Sequence, residues 1–249
     1  MSFRTLQAGC AALVLSMMAM ASQAVPAGKE VVDKLRASLE VEGTGFKIET
    51  VRTSEIPGLF EVQFENGPLV YSTEDGKYFI HGDIYTVQGG TFVNLAEQRR
   101  DSDRVARLEA LDADDMIIFS PEGKPRASIT VFTDVTCFYC QKLHKEVPAL
   151  NKRGVEVRYL AYPRAGVDSP GGRQLASAWC AKNPQETLTK LKNGQSVPDN
   201  VCAGNPVAAQ YQLGQQMGVR GTPAMVTEAG VMIPGYQSAD ELMVTLGLE

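Results

Sequence analysis

Cys137 and Cys140 stand three positions apart. That spacing puts two thiols on one side of a first helical turn, where they can close a small disulfide or present one thiolate to a partner. The apolar run Ala127 to Phe132 leads towards them through Thr133-Asp134-Val135-Thr136, and the helix-like run Gln141 to Leu150 leads away. With Cys137 capping that helix, its sulfur meets unpaired backbone N–H groups and the positive helix end, both of which favour thiolate over thiol. Cys140, one turn in, is then shielded. The exposed first sulfur attacks a substrate disulfide, and the second can resolve the mixed disulfide by exchange. The spacing alone also admits half a zinc site or a structural bridge. Zinc would need two more soft or imidazole ligands, and the other mature cysteines form no second CxxC.

At 249 residues the chain has room for two modest domains or one large one. Hydrophobic residues make up 44%, enough for a core, and the formal charge of −5 gives no electrostatic reason to expect nucleic acid. A protein partner is the expectation. Residues 1–24 read as an export signal: Arg4 supplies positive charge, Ala11 to Ala21 is a short apolar run, and small residues at Ala19, Ala21, Ser22 and Ala24 suit cleavage after Ala21 or Ala24. The run is too short for a membrane span, and Cys10 precedes it instead of following it, which argues against lipidation. Without the signal, Cys137, Cys140, Cys180 and Cys202 remain and allow three pairings. Two local pairs, Cys137 with Cys140 and Cys180 with Cys202, make the simplest assignment. An exported chain meets an oxidising compartment, and the short n-region suits a bacterial periplasm.

The elements that would position the dithiol show in the periodicity. After the strand Ala127 to Phe132 and the dithiol helix, Val155, Val157 and Tyr159 alternate in a further strand, and Pro163 to Gly172 is loop-like. Helical pieces fit Arg173 to Lys182, Pro184 to Lys192 and Pro206 to Met217. Ala224 to Thr227 and Val231 to Ile233 make short strands, and Ser238 with Glu241 has capping-box spacing for a final helix. Strands beside helices favour α/β packing at 116–249. Trp179, among Leu175, Ala176 and Ala178, reads as a core anchor.

Ahead of this region, Pro26 to Glu40 carries Val31, Val32, Leu35 and Leu39 on one helical face, with Pro26 near the permitted first turn. Segments near 47–52, 59–65, 68–73 and 77–81 alternate as strands, with Asn66-Gly67 and Asp75-Gly76 marking hairpin turns. Residues 25–90 thus form a small α+β domain near the lower limit for an independent core. Pairing with a second copy would cover its apolar residues and a bare sheet edge; packing within the chain is the alternative. Asn94 and Glu97 have capping-box spacing, and the charged stretch that follows, with a narrow stripe of Val105, Leu108 and Leu111, reads as a solvated linker helix within 91–115.

Beyond the dithiol, Phe132-Thr133-Asp134, Lys142-Leu143-His144, Tyr162-Pro163-Arg164 and Gly218-Val219-Arg220-Gly221-Thr222-Pro223 closely resemble the DsbC/DsbG family of bacterial periplasmic disulfide isomerases. The resemblance runs through the mature chain and is strongest from about residue 127. It implies an α+β N-terminal dimerisation domain at 25–90, joined by a linker helix at 91–115 to a C-terminal α/β thioredoxin-like domain with a helical insertion at 116–249. It makes Cys137 the attacking thiolate, Cys140 its resolving partner, Pro223 a cis-proline facing the dithiol, and Thr222 a source of backbone contacts to an extended substrate. Cys180 and Cys202 resemble the family's structural disulfide, with an auxiliary redox pair as the alternative.

The resemblance further implies a V-shaped homodimer whose sites face an apolar cleft, misfolded or mis-oxidised exported proteins as substrates, and a membrane thiol-disulfide reductase of the DsbD kind as electron donor. No organic cofactor or metal is required. Phe138 stands where the family usually has Gly, adding bulk beside the sulfur, and Gln141 where it usually has His, removing a potential charge. Tyr139 is a substrate-contact or packing aromatic. His144 reads as structural or surface instead of a general base, and the isolated His81 defines no metal site. Isomerisation leads; a DsbG-like cysteine-protecting reductase, a disulfide oxidase and a holdase with structural cysteines are the alternatives.

Overall fold

The computed structural model describes residues 25–65 and 67–249, so the signal reading of 1–24, with Cys10 and both cleavage points, lies outside the described residues. The chain divides after Asp83 into two compact units.

In the first unit, α1 (Lys29–Leu39) buries Leu35 and Leu39 against an antiparallel sheet of four strands in the order β1 (Ile48–Thr53), β2 (Leu59–Phe64), β3 (Leu69–Thr73) and β4 (Phe79–Ile80). Val51, Val62, Phe64 and Val70 complete this core. The helix begins later than the sequence suggests. Pro26 bridges to Arg52 instead of opening the first turn, and the Ala27 and Thr53 N–H groups donate to the Val51 and Val25 carbonyls at 3.1 and 3.0 Å. A proline fits there because an edge segment can leave one N–H position empty. The outer edge of β1 is therefore covered, whereas β4 ends the sheet with Phe79 and Ile80 exposed.

The second unit opens with a hairpin that the periodicity did not reveal, β5 (Tyr85–Gln88) and β6 (Thr91–Asn94). Its turn is Gly89-Gly90, both at positive φ, a two-residue connection that glycine makes without steric cost. Next comes α2 (Leu95–Glu109), where the Asn94 side chain accepts the Glu97 N–H as expected. The solvated-helix reading needs correction. Arg104 is buried, and its guanidinium donates to Glu97, Asp101 and the Met217 and Gly230 carbonyls, fixing α2 to the rest of this unit. Gly230 permits the approach, since its φ is positive and a Cβ there would collide with the Asp101 carbonyl.

A five-stranded sheet follows: β7 (Ile117–Phe119), β8 (Ala127–Thr133), β9 (Val155–Ala161), β10 (Ala224–Thr227) and β11 (Met232–Pro234), in the order β11-β10-β8-β9-β7. Only β8 and β9 pair in parallel, across the helix α3 (Phe138–Lys152). Alternate residues of the central strands feed two cores: Ile129, Val131, Val157 and Tyr159 in one, Phe132 and Leu160 in the other. Between β9 and β10 lie α4 (Pro170–Trp179), α5 (Pro184–Lys192) and α6 (Val207–Gln216); α7 (Ala239–Thr245) ends the unit with the expected Ser238–Glu241 capping box. Trp179 packs half-buried against the first of these cores, and its indole N–H donates to the Asp115 carbonyl at 2.7 Å. The α+β unit, the helix and the thioredoxin-like α/β region with helical insertion match the expected fold class.

Candidate active site

Strand β8 delivers Thr133 to its end, and four residues later Cys137 caps α3 in an extended conformation. Asp134 makes the turn rigid. One carboxylate oxygen accepts the Thr136 N–H and hydroxyl, each at 2.8 Å, and the other accepts the Arg164 backbone N–H and Nε, each at 3.0 Å. Burial alone would raise the Asp134 pKa, but the hydrogen bonds from Arg164 and Thr136 hold it below the ordinary carboxylate value.

Cys137 and Cys140 are unbridged, 3% and 1% exposed. The Cys137 sulfur was expected to be exposed; the Thr222-Pro223 segment covers it, and the Cys137 thiol donates to the Thr222 carbonyl at 3.2 Å. The Thr222–Pro223 bond is cis. Two opposing influences meet at this contact: the carbonyl favours the protonated thiol, while the Thr222 hydroxyl, buried and lacking another partner, favours the thiolate. A hydrogen bond from the Cys140 thiol is the largest influence, and with Thr222, the Cys140 N–H and the Arg164 charge it outweighs burial and brings Cys137 down to about 5. Cys140 moves the opposite way, pushed far up by burial and then by that same bond to Cys137. One ionised and one protonated sulfur at neutral pH is the pairing that thiol–disulfide exchange uses.

Phe138 and Tyr139 are exposed by 70% and 55%. They meet edge to face at 5.4 Å, and Tyr139 stacks at 6.4 Å on Tyr236, over which Lys142 Nζ sits at 4.2 Å. Gln141 turns inward, its amide donating to the Val135 carbonyl at 3.0 Å. His144 lies within 3.0 Å of both the Tyr159 and Thr189 hydroxyls, and burial, aided by the Lys192 charge, lowers it to about 4. It is a neutral packing group at pH 7. His81 lies in the other unit. Cys180, which caps α4, is bonded to Cys202, with Cα atoms 5.7 Å apart. Among the described residues no group of three or more His, Cys, Asp or Glu is arranged to hold a metal ion.

Two neighbours of the dithiol carried no assigned role in the sequence reading. Arg164 lay inside the Tyr162-Pro163-Arg164 match, but only the fold brings it to Asp134. Lys192, at the end of α5, is 1% exposed and donates to the Thr133 hydroxyl at 2.6 Å and the Asp134 carbonyl at 3.0 Å. Its one sequence clue is helical register: Leu188, four residues earlier, and Leu191 put it on the buried face.

The family described as a thioredoxin-like domain matches residues 113–247, and that of the disulfide bond isomerase N-terminal domain matches 19–97. The thiol:disulfide interchange protein DsbC of Dickeya dadantii is 40% identical over 202 residues, spanning 81% of this chain and 82% of the relative. DsbC of Pasteurella multocida is 35% identical over 235 residues, spanning 93% and 96%. Among solved structures, a linker-deletion variant of Proteus mirabilis ScsC aligns at a TM-score of 0.50 and 18% identity over 61% of this chain and 83% of that one, a likeness of fold. The dithiol and the DsbC relatives make the protein a periplasmic thiol-disulfide oxidoreductase, with redox partners among periplasmic and membrane oxidoreductases. Aligned with relatives more than 30% identical across most of its length, the chain belongs to the DsbC family of thiol:disulfide interchange proteins.

Proposed function

We propose that the protein is a disulfide isomerase in which Cys137 attacks and Cys140 resolves. The observation that carries this reading is the unbridged Cys137–Cys140 pair at the start of α3, its first sulfur 3.2 Å from the Thr222 carbonyl, an arrangement that lowers Cys137 to about 5 and raises Cys140. The Cys137 thiolate attacks one sulfur of an incorrect substrate disulfide; a mixed disulfide forms and the other substrate sulfur leaves as a thiolate. A substrate thiolate then attacks elsewhere, and the last exchange expels Cys137 unchanged, so no electrons are gained or lost overall. If rearrangement stalls, Cys140 displaces the substrate as a reduced thiol and the enzyme is left oxidised. A membrane reductase of the DsbD kind then returns two electrons. Thr222 and Pro223 support an extended substrate beside the dithiol, with Phe138 and Tyr139 as exposed apolar contacts, and misfolded exported proteins are the substrates.

In this reading residues 25–90 dimerise, 91–115 form the linker, 116–249 form the catalytic domain, and Cys180–Cys202 is structural. The bare β4 edge supports dimerisation: Tyr78, Phe79 and Ile80 are 74, 59 and 56% exposed, while the opposite edge of that sheet is covered by residues 25–27. Reduced, signal-free protein given a scrambled multidisulfide substrate should restore native pairings faster than a dithiol reductant alone, and Cys137→Ala should abolish the gain. Reduction of the substrate without recovery of native pairings would favour a DsbG-like reductase, net oxidation would favour an oxidase, and suppression of aggregation that survives Cys137→Ala with no exchange at all would leave a holdase.

A further inference from the structure

Lys192 is a buried charge against the turn that leads into the dithiol, and the exchange scheme leaves it unused. Its ammonium is withdrawn from water, and its two hydrogen bonds go to neutral oxygens, those of the Thr133 side chain and the Asp134 backbone. The Asp134 carboxylate is committed elsewhere, with both oxygens occupied by Thr136 and Arg164. A buried cation without a counter-ion is costly, and the cost falls when an anion forms beside it. Once ionised, Cys140 would favour the Lys192 ammonium more than the charges of Asp134 or Cys137 do, with Arg164 opposing. The remaining titratable neighbours are Tyr159, whose ring lies 6.0 Å from Nζ, and neutral His144.

Resting on the assignment of Cys137 as attacking thiol, we propose that Lys192 is a positioning residue for the second exchange step, supplying the positive charge against which Cys140 ionises. While Cys137 is bound to substrate it carries no charge, so the anion that completes the Lys192 pair arises only when the Cys140 thiol loses its proton to solvent. The Cys140 thiolate then attacks the Cys137 sulfur. A Cys137–Cys140 bond forms, the Cys137–substrate bond breaks, and the substrate departs as a thiolate that takes up a proton; two electrons pass from the enzyme dithiol to the substrate. A charge that is matched only as the reaction proceeds accelerates that step and not the first. Lys192 thereby shifts the balance between waiting for rearrangement and releasing a reduced substrate.

The test uses the reduced, signal-free protein and excess 5,5′-dithiobis(2-nitrobenzoate) in a stopped-flow instrument. Attack by Cys137 releases one coloured thiolate in a phase that quickens with reagent concentration, and attack by Cys140 releases the second in a concentration-independent phase. Lys192→Met should slow the second phase by about tenfold or more at neutral pH and the first by less than about threefold. In the unaltered protein the second phase should rise with pH and level off before about pH 10, once the coupled lysine–thiol pair has lost its first proton. That profile decides the matter if Lys192→Met does not fold. Equal slowing of both phases, an unchanged second phase, or a native second phase that climbs about tenfold per pH unit through pH 10 would overturn the role of Lys192. Absence of the first phase would instead overturn the assignment of Cys137.

Discussion

A single hydrogen bond between two sulfurs dominates the residue scale. Because the Cys140 thiol is the largest influence lowering Cys137, alkylation of reduced protein by iodoacetamide should be nearly flat from pH 7 to 9 and fall away through about 5, and in Cys140→Ala the midpoint should move up. The same shift makes the reduced fold pH-dependent. A thiol whose folded pKa lies below its unfolded value, about 8.5, stabilises the fold fully above that value and loses the contribution as pH falls through about 5. The gap in urea midpoint between reduced wild type and Cys137→Ser should therefore shrink from pH 8.5 to 5. The thiols and the Thr222-Pro223 segment were legible because their types and spacing are rare. Lys192 was not, since an isolated lysine near a helix end usually reaches water, and only packing of the Leu188 and Leu191 face takes it inside.

The elements divide by how much of each reports its own environment. Strands such as β8 and β9, and helices with a cap or a full apolar face, were legible because burial writes a period into the sequence. The three-residue β7 and the β5–β6 hairpin are too short for alternation to stand out, although Gly89-Gly90 was a turn signal. Helix α2 misled for a different reason: beside the expected Leu108, its contact with the rest of the unit includes a buried arginine, which hydrophobic periodicity counts as exposed. Arg104→Met should lower the stability of the second unit by about 2–3 kcal/mol, since it strands Asp101 and two carbonyls. Gly230→Ala should act in the same direction through the collision with Asp101. Chemical denaturation followed by near-ultraviolet circular dichroism would read both.

For the whole molecule, association and redox poise are the properties that matter. If the β4 edge carries the dimer, Ile80→Lys should convert it to monomer in sedimentation equilibrium while leaving the reaction of Cys137 with a small disulfide unchanged; a dimer that persists would move the interface elsewhere. The split ionisation has a further consequence in proton stoichiometry. At neutral pH the reduced site holds one sulfur-bound proton instead of two, so closing the Cys137–Cys140 disulfide releases one proton for two electrons. The midpoint potential should then fall by about 30 mV per pH unit between pH 6 and 7, half the slope of a couple that releases two. Titration against a glutathione buffer at several pH values measures it. A donor dithiol with both thiols protonated follows the steeper slope, so each unit of acidification removes about 30 mV, or about 1.4 kcal/mol, from the drive to re-reduce this site. Acid surroundings would leave the enzyme oxidised more often, with no change in any of its contacts.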